Sequence, residues 1–210
     1  MKLILPLLLG MSLLACSSHS EESDIELAIT DSLVVQLNNS AAEKLQNYRF
    51  RYSTDESTLE LAIEKLDQAI ELKPEATHLY SLKADILLTL HKYDEAIDEL
   101  KKILYIDPDY AEVINWIGVI HEVSGNHSEA QKWYQKALTV YKDRIDEGIH
   151  GINSYLSVVH LVFLTEGKES ALQAFKKLQQ EYPENEQIQF SEFFYDDLDR
   201  DTFFDELKAK

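Results

Sequence analysis

Tyr93-Asp94-Glu95-Ala96-Ile97, followed by Leu100, Ile103 and Asp107-Pro108, is the stretch whose reading decides the fold. Its apolar positions fall at helical spacing, and the proline closes the segment because it cannot continue a helix. The pattern recurs on both sides. Upstream it reads Ala62, Leu66, Ala69 and Lys73-Pro74, and downstream Ala130, Tyr134, Ala137 and Leu138. The step from Ala62 to Ala96 is 34 residues, and the step from Ala96 to Ala130 is 34 again. A fourth copy, with Ala171, Phe175, Leu178 and Pro183, follows after 41, which places about seven extra residues near Asp143 to Gly151. The small residue lets two helices cross closely, and the apolar residues four and seven positions on, large in every copy at the fourth position, fill the groove between neighbours.

A 34-residue step with these alanine and proline roles resembles the tetratricopeptide repeat (TPR). Ile117-Gly118 is similar to that family's Leu-Gly pair, with Lys83-Ala84 at the same place one copy earlier. Gly125-Asn126, His91-Lys92 and Gly167-Lys168 stand where the family turns between helices. The resemblance covers roughly residues 43–185. It implies an all-α solenoid of antiparallel helix pairs, in about four repeats (43–76, 77–110, 111–144 and 152–185) with irregular terminal helices. Ser40-Ala-Ala-Glu43 and Ser57-Thr-Leu-Glu60 read as capping boxes that open helices, and Asp94 and Ser128 as caps of second helices. Ile25 to Leu37 reads as an additional amphipathic helix, and Lys44 to Tyr52 as a degenerate first helix of the first repeat.

Composition agrees with a helical reading. Of 210 residues only 6 are glycine and 4 proline, too few for a fold of many hairpins, and 45% are hydrophobic, enough to bury a core. The formal net charge is −18. Phosphate binding needs Lys and Arg to displace counterions, so the field argues against nucleic acid and points to a basic protein partner, or else to a solvated acidic face. A single cysteine cannot form an intramolecular disulfide.

The position of that cysteine suggests its use. Met1-Lys2 precedes an apolar run from Leu3 to Leu14, of signal-peptide length and too short to span a bilayer. Leu13-Leu14-Ala15-Cys16 resembles the bacterial lipobox. The resemblance implies residues 1–15 as a lipoprotein signal peptide, lipidation at Cys16, and residues 16–24 as a polar tether. Ser17, in place of an inner-membrane retention Asp, implies an outer-membrane lipoprotein facing the periplasm, attached to the membrane through its lipid alone.

No pattern for catalysis is found. The seven histidines, His19, His78, His91, His121, His127, His150 and His160, make no i, i+4 pair, and there is no P-loop, nucleophile elbow or dinucleotide-binding glycine pattern. The expectation is a non-enzyme with no cofactor and no metal. Trp116 and Trp133 read as core residues. In the family the first helix of each repeat lines a concave groove. Carried over, the second repeat offers His78, Ser81, Asp85, Leu88 and Thr89, the third Glu112, Asn115, Val119, Glu122 and Val123, and the fourth Asn153, Leu156, His160, Phe163 and Leu164. Leu156, Phe163 and Leu164 read equally well as core. Asn115 stands alone at a carboxylate-gripping position, with no groove Lys or Arg beside it. The groove instead suits a protein segment with apolar anchors and basic residues. Residues 186–210, rich in Asp, Glu and Phe, read as a segment capping the solenoid, with Phe190, Phe193, Phe194 and Leu198 turned inward, or alternatively as a partner-binding segment. The function expected is a scaffold or assembly factor for an envelope complex; the alternative is an immunity protein against a secreted antibacterial effector.

Overall fold

The structure, a computed structural model, describes residues 15–149, 151–189, 191 and 199–208. The signal segment, His150 and four residues expected to face the cap, Phe190, Phe193, Phe194 and Leu198, lie outside them. Among the described residues there are helices and turns but no strand, and no helix is long and apolar enough to cross a membrane. The chain forms two compact units, one ending at Leu79 and the other beginning at Tyr80.

The first unit is a helical hairpin. α1 (Ala15–Arg49) packs against α2 (Ser57–Leu72). Val34, Leu37, Ala41 and Leu45 form a buried stripe on α1, and Leu59, Ala62, Leu66 and Ala69 form one on α2. The spacing of three or four residues keeps each stripe on one face. Lys73, just beyond α2, donates to Asp31 Oδ1 at 2.7 Å. Asp31 raises the Lys73 pKa above its ordinary value, though both groups are exposed and the pair is screened by water.

α1 corrects three expectations. Residues 16–24, expected as a polar tether, are helical. Ser40-Ala-Ala-Glu43 opens no helix. The helices expected over 25–37 and 44–52 are parts of one 35-residue helix that ends at Arg49. Neither glycine nor proline occurs between Cys16 and Arg49, and Ala41 continues the stripe begun at Val34 and Leu37. Burial of that face outweighs the weak helix propensity of Asn38, Asn39 and Ser40, about 0.5 kcal/mol each.

α3 (Thr77–Thr89) spans the division between the units. The second unit continues with α4 (Tyr93–Ile106), α5 (Ala111–Val123), α6 (His127–Asp146), α7 (Ile152–Glu166), α8 (Lys168–Glu181) and α9 (Arg200–Lys208). From α4 to α8 each helix packs on the next. The register read from the sequence is the register of the core. Ala62, Ala96, Ala130 and Ala171 are all buried, as are Leu66, Leu100, Tyr134 and Phe175 four residues later. At Gly118, α5 lies close against α6. A Cβ there would lie 2.6 Å from Tyr134 Cε1 and 3.3 Å from Trp133 Cβ.

The ends of the helices follow from proline placement. α2, α4 and α8 each stop two residues before Pro74, Pro108 and Pro183. The intervening residue leaves the helical region, and its N–H donates to the carbonyl four residues back. One period after Pro108 the chain has Lys142 instead, so α6 runs on for 20 residues where α4 and α8 have 14. The inserted residues are absorbed as extra helix and a turn. The expected N-caps are displaced: Asp94 and Ser128 lie within the first turns of α4 and α6, whose N-caps are Lys92 and Asn126. Ser57 likewise does not cap α2, and its N–H donates to Asp55 Oδ1 instead.

Candidate partner-binding face

The residues carried over from the repeat pattern meet different fates. His78, on the first turn of α3, is exposed. Ser81, Asp85, Leu88 and Thr89 are half-buried on α3, where Thr89 donates to the Asp85 carbonyl. On α7, Phe163 and Leu164 are buried in the core between α6 and α8 and are not available to a partner. Leu156 is half-buried against that core. His160 is half-buried with its ring 6.3 Å from Phe163, and burial lowers its pKa. Asn153 is exposed and accepts a hydrogen bond from Gln187 at 2.6 Å.

α5 carries the most distinctive chemistry. Val119 and Val123 are half-buried apolar surface beside the core. Asn115 is half-buried, and its Oδ1 has no hydrogen-bond partner among the described residues. Glu112 is exposed, with Arg144 Nη1 3.8 Å from its carboxylate. Arg144 also donates to the Asp109 carbonyl at 2.6 Å, which holds the guanidinium at that end of α5.

Glu122 differs from the other acids on this face. Only 6% of it is exposed. His127 Nδ1 lies 2.9 Å from Oε1, and Arg200 Nη2 donates to the same oxygen at 3.0 Å. Oε2 is buried without a partner, as is the hydroxyl of Tyr134. Burial, reinforced by the Glu122 charge and opposed by Arg200, pushes the Tyr134 hydroxyl well above the usual tyrosine range. A buried carboxylate needs a cation, because unpaired it carries a large desolvation cost. Arg200 supplies it from 78 residues away in sequence.

Arg200 and Phe204 were not among the residues the sequence marked for this face. α9 packs on α5, and Phe204 is buried in the core cluster with Ile188. The carboxyl-terminal segment therefore does contribute buried apolar residues. Its described part returns to α5, whereas the sequence suggested a cap over the end of the solenoid. A second cluster also escaped notice. Glu99 is buried on α4 between Lys83 and Lys102, each 2.9 Å away. Lys83 thus serves α4 rather than the Asn115 position. Trp133 is half-buried, stacked 6.5 Å from His121 and capped by Lys136 at 5.4 Å.

Family comparison bears on the same helices. A family model described as tetratricopeptide repeat matches residues 54–115, and a second so described matches 111–144. Residues 54–144 carry tetratricopeptide repeats. Among curated relatives, small glutamine-rich tetratricopeptide repeat-containing protein 2 of Saccharomyces cerevisiae is 30% identical over 90 residues, which is 43% of this chain and 26% of that protein. Tetratricopeptide repeat protein 13 of Homo sapiens is 27% identical over 123 residues, 59% of this chain and 14% of that protein. The match therefore spans about a quarter or less of these relatives. Among solved structures, the TPR2B domain of yeast Sti1 in complex with pHsp70 aligns with 66% of this chain and 98% of that one, at 19% identity and a TM-score of 0.46. The matched TPR region includes all of α2 to α5 and most of α6, and so takes in the α5 face.

Proposed function

We propose that this chain is a protein-binding TPR scaffold or assembly factor, held at the outer membrane by a lipidated Cys16 and facing the periplasm. The observation that carries the binding reading is the α5 face of the matched repeats. It combines half-buried Val119 and Val123, the unsatisfied Asn115 carbonyl and two carboxylates, Glu112 and Glu122. Apolar surface gives an incoming segment its affinity, and the acidic groups select for basic side chains. No part of this reading requires catalysis or a cofactor. The membrane reading rests on the lipobox-like Leu13-Leu14-Ala15-Cys16 and on Ser17.

A photo-crosslinking residue at Val119 in the full chain, expressed in its own cell envelope, tests the binding reading. It should capture a specific protein, and Asn115→Lys, which removes the acceptor and repels a basic segment, should weaken the capture. Capture of nothing, or capture unaffected by changes across α5, would refute it. The anchor is tested separately by Cys16→Ala, which should move the chain from the outer-membrane fraction to the soluble periplasm.

The net charge of −18 favours a second reading, in which the chain neutralises a basic antibacterial effector. Cells lacking the gene would then die on contact with effector-producing siblings, whereas loss of an assembly factor would disrupt an envelope complex without that contact dependence.

A further inference from the structure

We infer that α9 is a built-in ligand of the α5 face, and that the external partner is a basic amphipathic helix carrying an arginine and, four residues later, a phenylalanine. This rests on the reading of α5 as the binding face. Three observations specify the mode. Arg200 reaches the nine-tenths-buried Glu122 at 3.0 Å. Phe204, one turn on, is 4% exposed. The Arg200 guanidinium lies 5.8 Å from the Phe204 ring, so charge and apolar anchor act from one side of α9. This is the helix-in-groove mode, read through anchors one turn apart.

The same face shows its preference for guanidinium twice. The chain has four arginines, and two of them, Arg144 and Arg200, are set against Glu112 and Glu122 of α5. The Glu122 Oε2 atom is buried without a hydrogen-bond partner among the described residues, so a second basic group reaches it only from a helix that has taken the place of α9.

α9 is an imperfect ligand for an acidic face. Arg-Asp-Thr-Phe-Phe-Asp-Glu-Leu-Lys, residues 200–208, brings three acids alongside its two basic residues into a protein of net charge −18. Besides its Arg200 and Phe204 anchors, tethering holds it, by supplying an effective concentration on the order of millimolar. A helix of the same Arg and Phe spacing with Lys in place of the acids gains the anchors without the repulsion. It displaces α9, and the tail sets the threshold that a partner must exceed.

The probe for the test is a fluorescein-labelled synthetic peptide of residues 199–208, titrated by anisotropy with the full chain. Wild type should bind it weakly, because α9 already occupies the face. The Arg200→Ala/Phe204→Ala double variant should bind it at least about tenfold more tightly, and Arg200→Ala alone should give a smaller gain. Adding Glu122→Gln to the double variant should return binding to the wild-type level. A peptide with Asp201→Lys should bind wild type more tightly than the native peptide does. Equal binding of the native peptide to wild type and both variants overturns the proposal. So does loss of helical circular dichroism in the variants, which would make α9 a permanent part of the fold. If the peptide fails while crosslinking at Val119 still captures a protein, the built-in ligand is refuted and the scaffold reading stands.

Discussion

Gly118 and His160 are single positions whose surroundings dictate measurable consequences. A methyl group at Gly118 would meet the Tyr134 ring at 2.6 and 2.7 Å. That ring is fully buried, so it has nowhere to move. Gly118→Ala should therefore destabilise the second unit by about 1–3 kcal/mol despite the better helix propensity of alanine, as read from the shift in the urea midpoint. An unchanged midpoint would mean that α5 and α6 are not in close contact there. At His160 the argument is one of protons. Burial disfavours the imidazolium, so the folded pKa lies below the ordinary 6.5. Between those two values the unfolded chain binds more protons than the folded chain, and stability rises with pH in that window. Acidification through the ordinary value thus weakens the fold. His160→Gln should lose less unfolding free energy than wild type between about pH 7.5 and about pH 5.5. A loss of the same size in both would show that His160 is not the group responsible.

At the scale of elements, the turns between helices are built alike. Arg51, His91, Gly125 and Gly148 all sit at positive φ just past a helix end. In each, that residue's N–H donates to the carbonyl three back, and the next residue's N–H to the carbonyl five back. This double closure satisfies the last carbonyls of the helix, and glycine suits it best because it lacks a Cβ. Two of the four positions are not glycine. His91→Gly should stabilise the α3–α4 connection by about 0.5–1 kcal/mol, the strain of a left-handed residue outweighing the extra freedom of glycine in the unfolded chain. Loss of stability would mean that the contact between His91 Nδ1 and the Tyr93 hydroxyl, 3.1 Å, contributes more than the strain costs. The turns at His91 and Gly125, like the alanine register, could be read in the sequence because each is specified within a few residues, whereas the turn at Arg51 falls inside the helix expected over Lys44 to Tyr52. The continuity of α1 could not. Ser40 has the chemistry of a cap, yet a serine is also tolerated inside a helix whose buried face runs through it. The pairing of Glu122 with Arg200 was equally hidden. The two are 78 residues apart, outside any repeat period, and nothing local to either names the other. Phe163 was ambiguous for a different reason: an apolar residue on a first helix serves a groove or a core equally well until its neighbours are placed.

For the whole molecule, the two units differ in what their cores are made of. Among the described residues, the first buries Val34, Leu37, Leu45, Leu59, Leu66 and Leu79 with four alanines, and no aromatic ring. The second buries Tyr134, Tyr141, Phe163, Phe175 and Phe204 among many leucines and isoleucines. An alanine removes little area from water, whereas a buried ring removes 150–250 Å², and burial contributes roughly 25 cal/mol per Å². In a repeat array each helix pair is stabilised mainly by its immediate neighbours, so a richer core in one unit is only partly shared with the other. Local opening should then be graded along the chain. In native-state hydrogen exchange, the amides of α2 around Ala62 to Ala69 should exchange through a lower-energy opening than those of α6 around Ala130 to Leu138. The gap should narrow with denaturant as global unfolding takes over. If both sets exchange with one free energy from the start, the two units open as a single cooperative body, and the division at Leu79 has no energetic counterpart.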